Sequence, residues 1–354
     1  MKRVMLTGAT GFIGGHVAWS LVQHGYEVVA LTRPGSLMSW RHDSLTTRNG
    51  DVRDADSVRA AMDGCDTVVH AAAIYALWSR DPSAIYETNV QGTRNVLDAA
   101  VAAGVDRIVH TSTVGTTRFR KDASATELDI AGPQSIAGHY KRSKFEAERV
   151  ALRLARTGAP IVIVNPTAPV GSADVKPTPT GRVIVDFLKG RLPAFVDTGL
   201  NFVGVDDVAE GHVLALEQGV VGERYLLGNA DGNLTLAELL IRLSKITGLP
   251  APRWSIPHAF ARFMGNVDGL IEGKLLHREP RIPMEGVRMA HQKMWADPSK
   301  AVRELGMPQH SVNESLAQAV AWFVDHSYAP APPRYQRGNG RRRQRQRTRQ
   351  ERVR

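Results

Sequence analysis

The chain has 354 residues, 43% of them hydrophobic and 23% charged, which is an ordinary folded composition long enough for one large core or two smaller ones. A single cysteine, Cys65, excludes an intrachain disulfide and a multi-cysteine metal site, and no apolar run reaches the ~18 residues of a membrane span. The net charge of +10 belongs to the end of the chain: ten Arg and one Glu fall in residues 331–354, which leaves +1 for residues 1–330.

In chain order, the start "MKRVMLTGATGFIGG" lacks the apolar stretch of a signal peptide. It reads as a first strand (3–7), a glycine turn and a helix from Phe12 to His24, which places the protein in the cytoplasm. Further Val/Ile-rich strands are expected at 27–32, 66–72, 107–112 and 160–166, with helices at 55–62, 82–103 and 138–157 between them. Continuous apolar strands separated by helices predict an α/β fold, a Rossmann-type doubly wound parallel sheet covered on both faces. After residue 170 the pattern changes to helices at 182–190, 206–218, 235–247, 257–265 and 312–326, with short strands at 202–205 and 223–227. The expected organisation is an NAD(P)-binding domain over 1–170, to which some later segments return, and a smaller, mostly helical substrate lobe over 171–330. A disordered Arg-rich tail over 331–354 completes it. Such a tail has too little aliphatic surface to offset its ordering entropy. Its chemistry suits a solvated extension, or contact with nucleic acid or an anionic membrane.

Gly8, Gly11 and Gly14 form GxxGxxG between the first strand and first helix, where small residues admit a pyrophosphate to the helix N-terminus. At the end of the second strand, an acidic residue would bind the ribose of NAD and a basic one would accommodate the extra phosphate of NADP. Here Thr32 stands in the acid's place and Arg33 follows, which favours NADP(H), with NAD(H) as the alternative. Asp51 follows a third strand and is a candidate acceptor for the adenine amino group. Strand five ends in Ser112 and Thr113, and Tyr140-x-x-x-Lys144 puts a phenol and an ammonium on one helical face. A nearby cation lowers the ~10 pKa of a tyrosine, so Tyr140 reads as a proton donor or acceptor, Lys144 as its tuning cation and Thr113 as the hydroxyl that holds the substrate oxygen. His70, His110 and His139 are weaker candidates, and the spacing of acids, histidines and cysteine suggests no metal site.

TGATGFIG (7–14), GDVRD (50–54), HAAA (70–73), NVQGTRNVL (89–97), HTST (110–113), YKRSK (140–144) and NP (165–166) occur in that order. In these the chain resembles the extended short-chain dehydrogenase/reductases of the NAD-dependent epimerase/dehydratase family. It is similar in particular to the hopanoid-associated sugar epimerase and dihydroflavonol 4-reductase-like group, over nearly all of residues 1–328. The resemblance implies catalytic Thr113, Tyr140 and Lys144, with Thr113 where the family usually has Ser, and an Asn89 that orders the active site. It further implies cofactor contacts from Thr10, Phe12, Ile13, Val52, Ala71, Ala72, Ala73, Thr111, Pro166 and Thr167, and from Tyr140 and Lys144 themselves. Tyr75, Ser112, His139, Lys176 and Arg182 are substrate candidates. Helices 82–103 and 138–157 are the implied homodimer interface. Two departures are Ile74, where the family tends to have Asp, and Gly204, where it tends to have His.

The resemblance also separates reactions. Leu200 occupies the place where nucleotide-sugar epimerases usually carry an Arg for the diphosphate, and Val114–Gly115 replaces the Asp–Glu pair of sugar 4,6-dehydratases. The leading expectation is an NADP(H)-dependent oxidoreductase acting on a carbonyl or alcohol of a sugar-like or polyhydroxylated small molecule, with hopanoid side-chain metabolism implied by resemblance alone. The alternatives are a sugar epimerase that retains its cofactor, a dihydroflavonol 4-reductase-like ketone or aldehyde reductase and, in another class, a non-catalytic NAD(P)-binding sensor.

Overall fold

A computed structural model of the chain describes residues 2–335, apart from Ser39, Leu77, Asp122, Ala261, Phe263 and 265–291. The centre is a seven-stranded parallel sheet of β1 (Arg3–Thr7), β2 (Glu27–Thr32), β3 (Leu45–Asn49), β4 (Thr67–His70), β5 (Arg107–Thr111), β6 (Ile161–Pro166) and β10 (Arg224–Leu227). Their order across the sheet is β10-β6-β5-β4-β1-β2-β3, so the chain winds outward in both directions from β1 and β4, as the continuous apolar strands predict. β4, β6 and β10 are buried along their whole length, which explains why they read as unbroken apolar runs rather than alternating ones.

One face of the sheet is covered by α1 (Phe12–Gln23) and α7 (Val205–Gln218), with α9 (Ser299–Leu305) beside them. The other carries α2 (Ala55–Met62), α4 (Gly92–Ala102) and α5 (His139–Arg156). The helix expected over 82–103 is three pieces: α3 (Ser83–Tyr86), a π-helical turn over Glu87–Gln91, and α4. The helix at 206–218 and the strand at 223–227 belong to the central sheet and its cover. Apolar residues of α7 and of Tyr225 and Leu227 pack in the same core as α1. Polar pairs also fasten α1 to α7: His16 Nδ1 to Asp206 Oδ1 at 2.7 Å and Ser20 Oγ to Glu210 Oε2 at 2.9 Å.

The second lobe has its own core, built from α6 (Pro179–Leu188), α8 (Leu236–Thr247), α10 (Val312–Asp325) and β9 (Gly199–Gly204). β9 pairs with β7 (Ala168–Val170), β11 (Asn233–Thr235) and β13 (Lys293–Met294), while β8 (Ala194–Val196) pairs with β12 (Trp254–Ile256). α8 starts on a capping box, Thr235 with Glu238, and stops at Gly248 in the left-handed region. The helix expected at 257–265 is observed over 258–260 and at Arg262 and Met264, with 261, 263 and 265 outside the described residues, as is the tail beyond residue 335. The tail's first residues are packed rather than disordered: Tyr335 Oη donates to Asp325 at 3.0 Å, and Arg334 Nη1 donates to the Lys245 carbonyl.

Candidate active site

The glycine turn lies at the carboxyl edge of β1. Gly8 has φ +80°, and a Cβ there would come within 2.7 Å of the Ala71 and Ala72 backbone at the end of β4. A side chain at Gly14 would overlap the Gly8 carbonyl, so this glycine lets α1 pack onto the turn. Gly11 is the N-cap of α1 and supplies no side-chain capping bond, and no acid stands in the first turn. The uncapped N–H groups and the positive end of the helix dipole therefore face the space over the turn, a cradle that fits a pyrophosphate. Thr10 and Gly11 are exposed to that space, and Phe12 and Ile13 are half-buried at its base.

At the far end of β2, Thr32 is buried and Arg33 exposed. Asp51 is clamped by Arg53, which donates from Nε at 3.1 Å and Nη2 at 2.8 Å. These bonds hold the Asp51 carboxyl below its ordinary range, with the Arg33 charge adding in the same direction. Arg33 and Asp51 thus flank one end of the cleft. Val52 is buried, with its carbonyl bonded by Asn95 at 2.9 Å. The loop after Arg33 folds back over α1: Trp40 stacks on Trp19 with ring centroids 5.3 Å apart, a contact that no local pattern signals.

A directional chain of hydrogen bonds runs beneath the centre of the cleft. Ala72 N donates to Thr7 Oγ1 (3.1 Å), which bonds His70 Nδ1 (2.7 Å). His70 Nε2 bonds Thr93 Oγ1 (2.9 Å), and Thr93 donates to the Asn89 carbonyl (2.6 Å). Only one set of donors satisfies every link, with the His70 proton on Nε2. Burial, and then the Lys144 charge, push the His70 pKa down to about 3, consistent with a neutral ring. The chain supports the π-helical turn at Asn89. The Asn89 side chain in turn bonds both backbone groups of Ile74 (2.7 and 3.0 Å) and Ser143 Oγ (2.9 Å). Ile74 acts here through its backbone, at the start of the loop that carries Tyr75.

α5 brings Tyr140 and Lys144 to the end of β5. Lys144 is buried, and its Nζ donates to the Thr111 carbonyl at 2.7 Å. Burial pulls its pKa down to about 8, opposed by the Glu148 carboxylate one turn further on. The Thr111 hydroxyl donates to His212 Nε2 (2.9 Å), since His212 Nδ1 is committed to the Val208 carbonyl (2.7 Å). Thr113 Oγ1 accepts from Gly115 N at 3.1 Å, which leaves its hydroxyl hydrogen to donate outward. Tyr140 is half-buried, and the Tyr75 ring meets it edge-on, centroids 4.3 Å apart. His139 lies on the exposed side, with Nδ1 3.3 Å from Tyr86 Oη.

Ser112 is a correction. It is buried beneath the site and donates to Glu148 instead of facing a ligand. Glu148 also accepts from Thr116 and Asn165, each at 2.8 Å, and pairs with buried Arg224 at 3.0 Å. Arg224 donates to the Glu127 carbonyl at 2.8 Å, so the network ties α5, β10 and the loop after β5 together. Glu148 and Arg224 carried no assigned role in the sequence; the signal available for Glu148 was its position four residues after Lys144, on the same helical face. Lys176 and Arg182 are exposed, and Arg182 Nε donates to the Pro177 carbonyl at 3.3 Å. Pro166 is buried at the end of β6, and Thr167 bonds Asn201 Oδ1 at 3.1 Å. At Gly204 a Cβ would lie 2.7 Å from Ser315 Oγ, so α10 occupies the space a histidine there would need. No cluster of acids, histidines and cysteine among the described residues is arranged to hold a metal ion, and no described helix is long and apolar enough to cross a membrane.

The glycine turn suits a pyrophosphate, and the Tyr140–Lys144 turn sets a phenol and an ammonium further along the same edge, an arrangement that fits the class of NAD(P)-dependent enzymes. Residues 4–228 match the NAD dependent epimerase/dehydratase family. The chain is 43% identical over 335 residues to a putative dihydroflavonol 4-reductase of Synechocystis sp., covering 91% of this chain and 95% of that one. It is 34% identical over 322 residues to sterol demethylase protein B of Methylococcus capsulatus, covering 90% and 97%. Among solved structures, gox2253 aligns with a TM-score of 0.82 at 38% identity, over 93% of this chain and 100% of that one. A nucleoside-diphosphate-sugar epimerase from Pseudomonas aeruginosa aligns with a TM-score of 0.77 at 26% identity, over 93% and 99%. The protein belongs to the NAD-dependent epimerase/dehydratase family, as an extended short-chain dehydrogenase/reductase, and is an enzyme of the oxidoreductase, epimerase and dehydratase group that uses NAD(P).

Proposed function

We propose that the protein is an NADP(H)-dependent oxidoreductase that interconverts a ketone or aldehyde with its alcohol, Tyr140 being the proton donor. The observation that carries this reading is the buried Lys144, fixed on the Thr111 carbonyl one helical turn after Tyr140. A cation held there stabilises phenolate and makes the phenol a better acid near neutral pH. Thr113 is oriented to donate to the carbonyl oxygen as negative charge develops on it. Bound NADPH would supply the hydride. Arg33, exposed at the end of β2 with its charge reaching Asp51, supports the 2′-phosphate. Leu200 on β9 offers no charge to a sugar diphosphate, and Lys176 and Arg182 lie exposed on the surface, which supports a simple carbonyl over a nucleotide sugar.

In this proposal the carbonyl or alcohol belongs to a sugar-like or polyhydroxylated small molecule. A sugar epimerase with retained cofactor is the second reading, favoured by the nucleoside-diphosphate-sugar epimerase likeness. The test is NADPH consumption with a panel of ketones, aldehydes and ketosugars, compared with Tyr140→Phe. Turnover that falls by at least about 100-fold in the variant supports the reading. Equal rates in both proteins remove Tyr140 as the donor. Protein that purifies with tightly bound nicotinamide and epimerises sugars with none added supports the second reading instead.

A further inference from the structure

Outside the cleft, the most unusual surface lies where β12 leaves the second lobe. Trp254 is 77% exposed on the short β8–β12 ribbon, and Phe260 and Met264, on the segment that follows, are 54% and 37% exposed. Arg253 and Arg262 are exposed within the same short stretch. Single exposed apolar residues are ordinary, but three large ones within eleven positions, with Arg253 just before them and Arg262 among them, are not.

A second, independent observation concerns where the basic tail leaves the fold. Arg334 bonds the carbonyl of Lys245 at the end of α8, and its side chain lies against Gly248. Ser244 Oγ bonds the Leu249 carbonyl at 2.6 Å, which fixes the exit of the chain from that helix. Trp254 is six residues beyond Gly248, so the two are separated by no more than about 21 Å. Residues 336–354 carry nine Arg and one Glu, a net +8, while residues 1–330 carry +1. Almost all of the molecule's net charge therefore attaches to the second lobe, at the end of α8 from which the chain runs on to Trp254.

We propose that this end of the second lobe docks on an anionic phospholipid surface. Trp254, Phe260 and Met264 would enter the headgroup layer, with Arg253 and Arg262 paired to lipid phosphates. Trp prefers the membrane–water interface, where its ring is buried and its N–H stays bonded. Basic residues add attraction to an anionic leaflet. Met264 has no aromatic face on which a nucleotide base would stack, and this favours lipid over single-stranded nucleic acid. The inference is independent of the reaction proposed for the cleft.

Sedimentation of the full chain with vesicles tests it, using phosphatidylcholine alone and phosphatidylcholine mixed with phosphatidylglycerol. The expected result is binding to the mixed vesicles only, weakened by salt. Trp254→Ser/Phe260→Ser should weaken it about tenfold or more, and Arg253→Gln/Arg262→Gln about 25-fold, at roughly fivefold per arginine. Both pairs are exposed, so unchanged thermal melting confirms that each variant is folded. Three results would overturn the proposal. One is undiminished vesicle binding by the Trp254/Phe260 variant, which would leave only tail electrostatics. Another is no binding to either vesicle. The third is stronger retention on a DNA oligonucleotide than on mixed vesicles at the same salt, which would make the partner a nucleic acid.

Discussion

Lys144 is the residue whose chemistry sets the pH response. Its folded pKa of about 8 lies below the ~10.4 of a free lysine, so the native state gives up this proton before the unfolded state does. Burial of the ammonium thus costs about 3 kcal/mol at neutral pH, and the cost is relieved as pH rises from about 8 towards 10. Carbonyl reduction should respond in the opposite sense. As pH passes about 8, Lys144 loses the charge that favours phenolate on Tyr140, and the tyrosine becomes a weaker acid. The expected profile of kcat/KM for reduction is flat below that point and falls above it. Lys144→Met should lower the rate by about 100-fold or more and abolish the inflection; an unchanged inflection would assign it to another group. The Tyr–Lys spacing was legible in the sequence because it is local. The Thr111 carbonyl under Lys144 was not, since it lies 33 positions away. His110 teaches the same lesson. It lies buried against His70, ring centroids 5.5 Å apart, with both nitrogens unpartnered among the described residues. His110→Phe would keep the ring contact and remove the stranded polar atoms. Thermal or urea unfolding should report equal or greater stability, by up to about 2 kcal/mol.

At the scale of elements, α5 carries two consecutive buried charges, Lys144 and Glu148, on the face turned to the sheet. An isolated amphipathic reading gives such positions to apolar residues. Glu148 is tolerated because Thr116, Asn165 and Arg224 satisfy it, and Arg224 arrives from β10, 76 residues later in the chain. That partner was invisible to local pattern, and so was the consequence that Ser112 points down to Glu148. Removing one member of a buried pair strands the other. Arg224→Met should therefore destabilise the protein by about 3–5 kcal/mol in urea unfolding, whereas Arg224→Met with Glu148→Leu should recover most of the loss. If the double variant is as unstable as the single one, the pair is not the cause. The π-helical turn at Glu87–Gln91 has a comparable origin. The helical pattern over 82–103 is continuous in sequence, and the irregularity appears where Asn89 turns inward to bond Ile74 and Ser143.

For the whole molecule, strand–helix alternation was enough to read the doubly wound sheet, because every strand except the exposed edge strand β3 is buried over most or all of its length. That some later segments return to that sheet was expected, but that they are α7, β10 and α9 was not readable from the same pattern. Their apolar periodicity is the same whether they cover the sheet or build a separate lobe, and only the shared core with α1 decides it. The cofactor site proposed here is a property of this assembled edge, since Gly8, Arg33, Asp51 and Lys144 come from four separate stretches of chain. A ligand that binds only the folded chain stabilises it by about 2.7 kcal/mol at a hundred times its Kd. NADPH should accordingly raise the melting temperature, and NADH at the same concentration should raise it less if Arg33 meets the 2′-phosphate. Arg33 is exposed, so Arg33→Ser should leave the melting temperature of the free protein unchanged. The loss of one charge-assisted contact to phosphate, about 1.5–3 kcal/mol, should bring the NADPH-induced shift down to that of NADH. An equal response of the unaltered protein to both dinucleotides would instead assign Arg33 to the surface and make Thr32 and Asp51 the residues that meet the ribose and adenine.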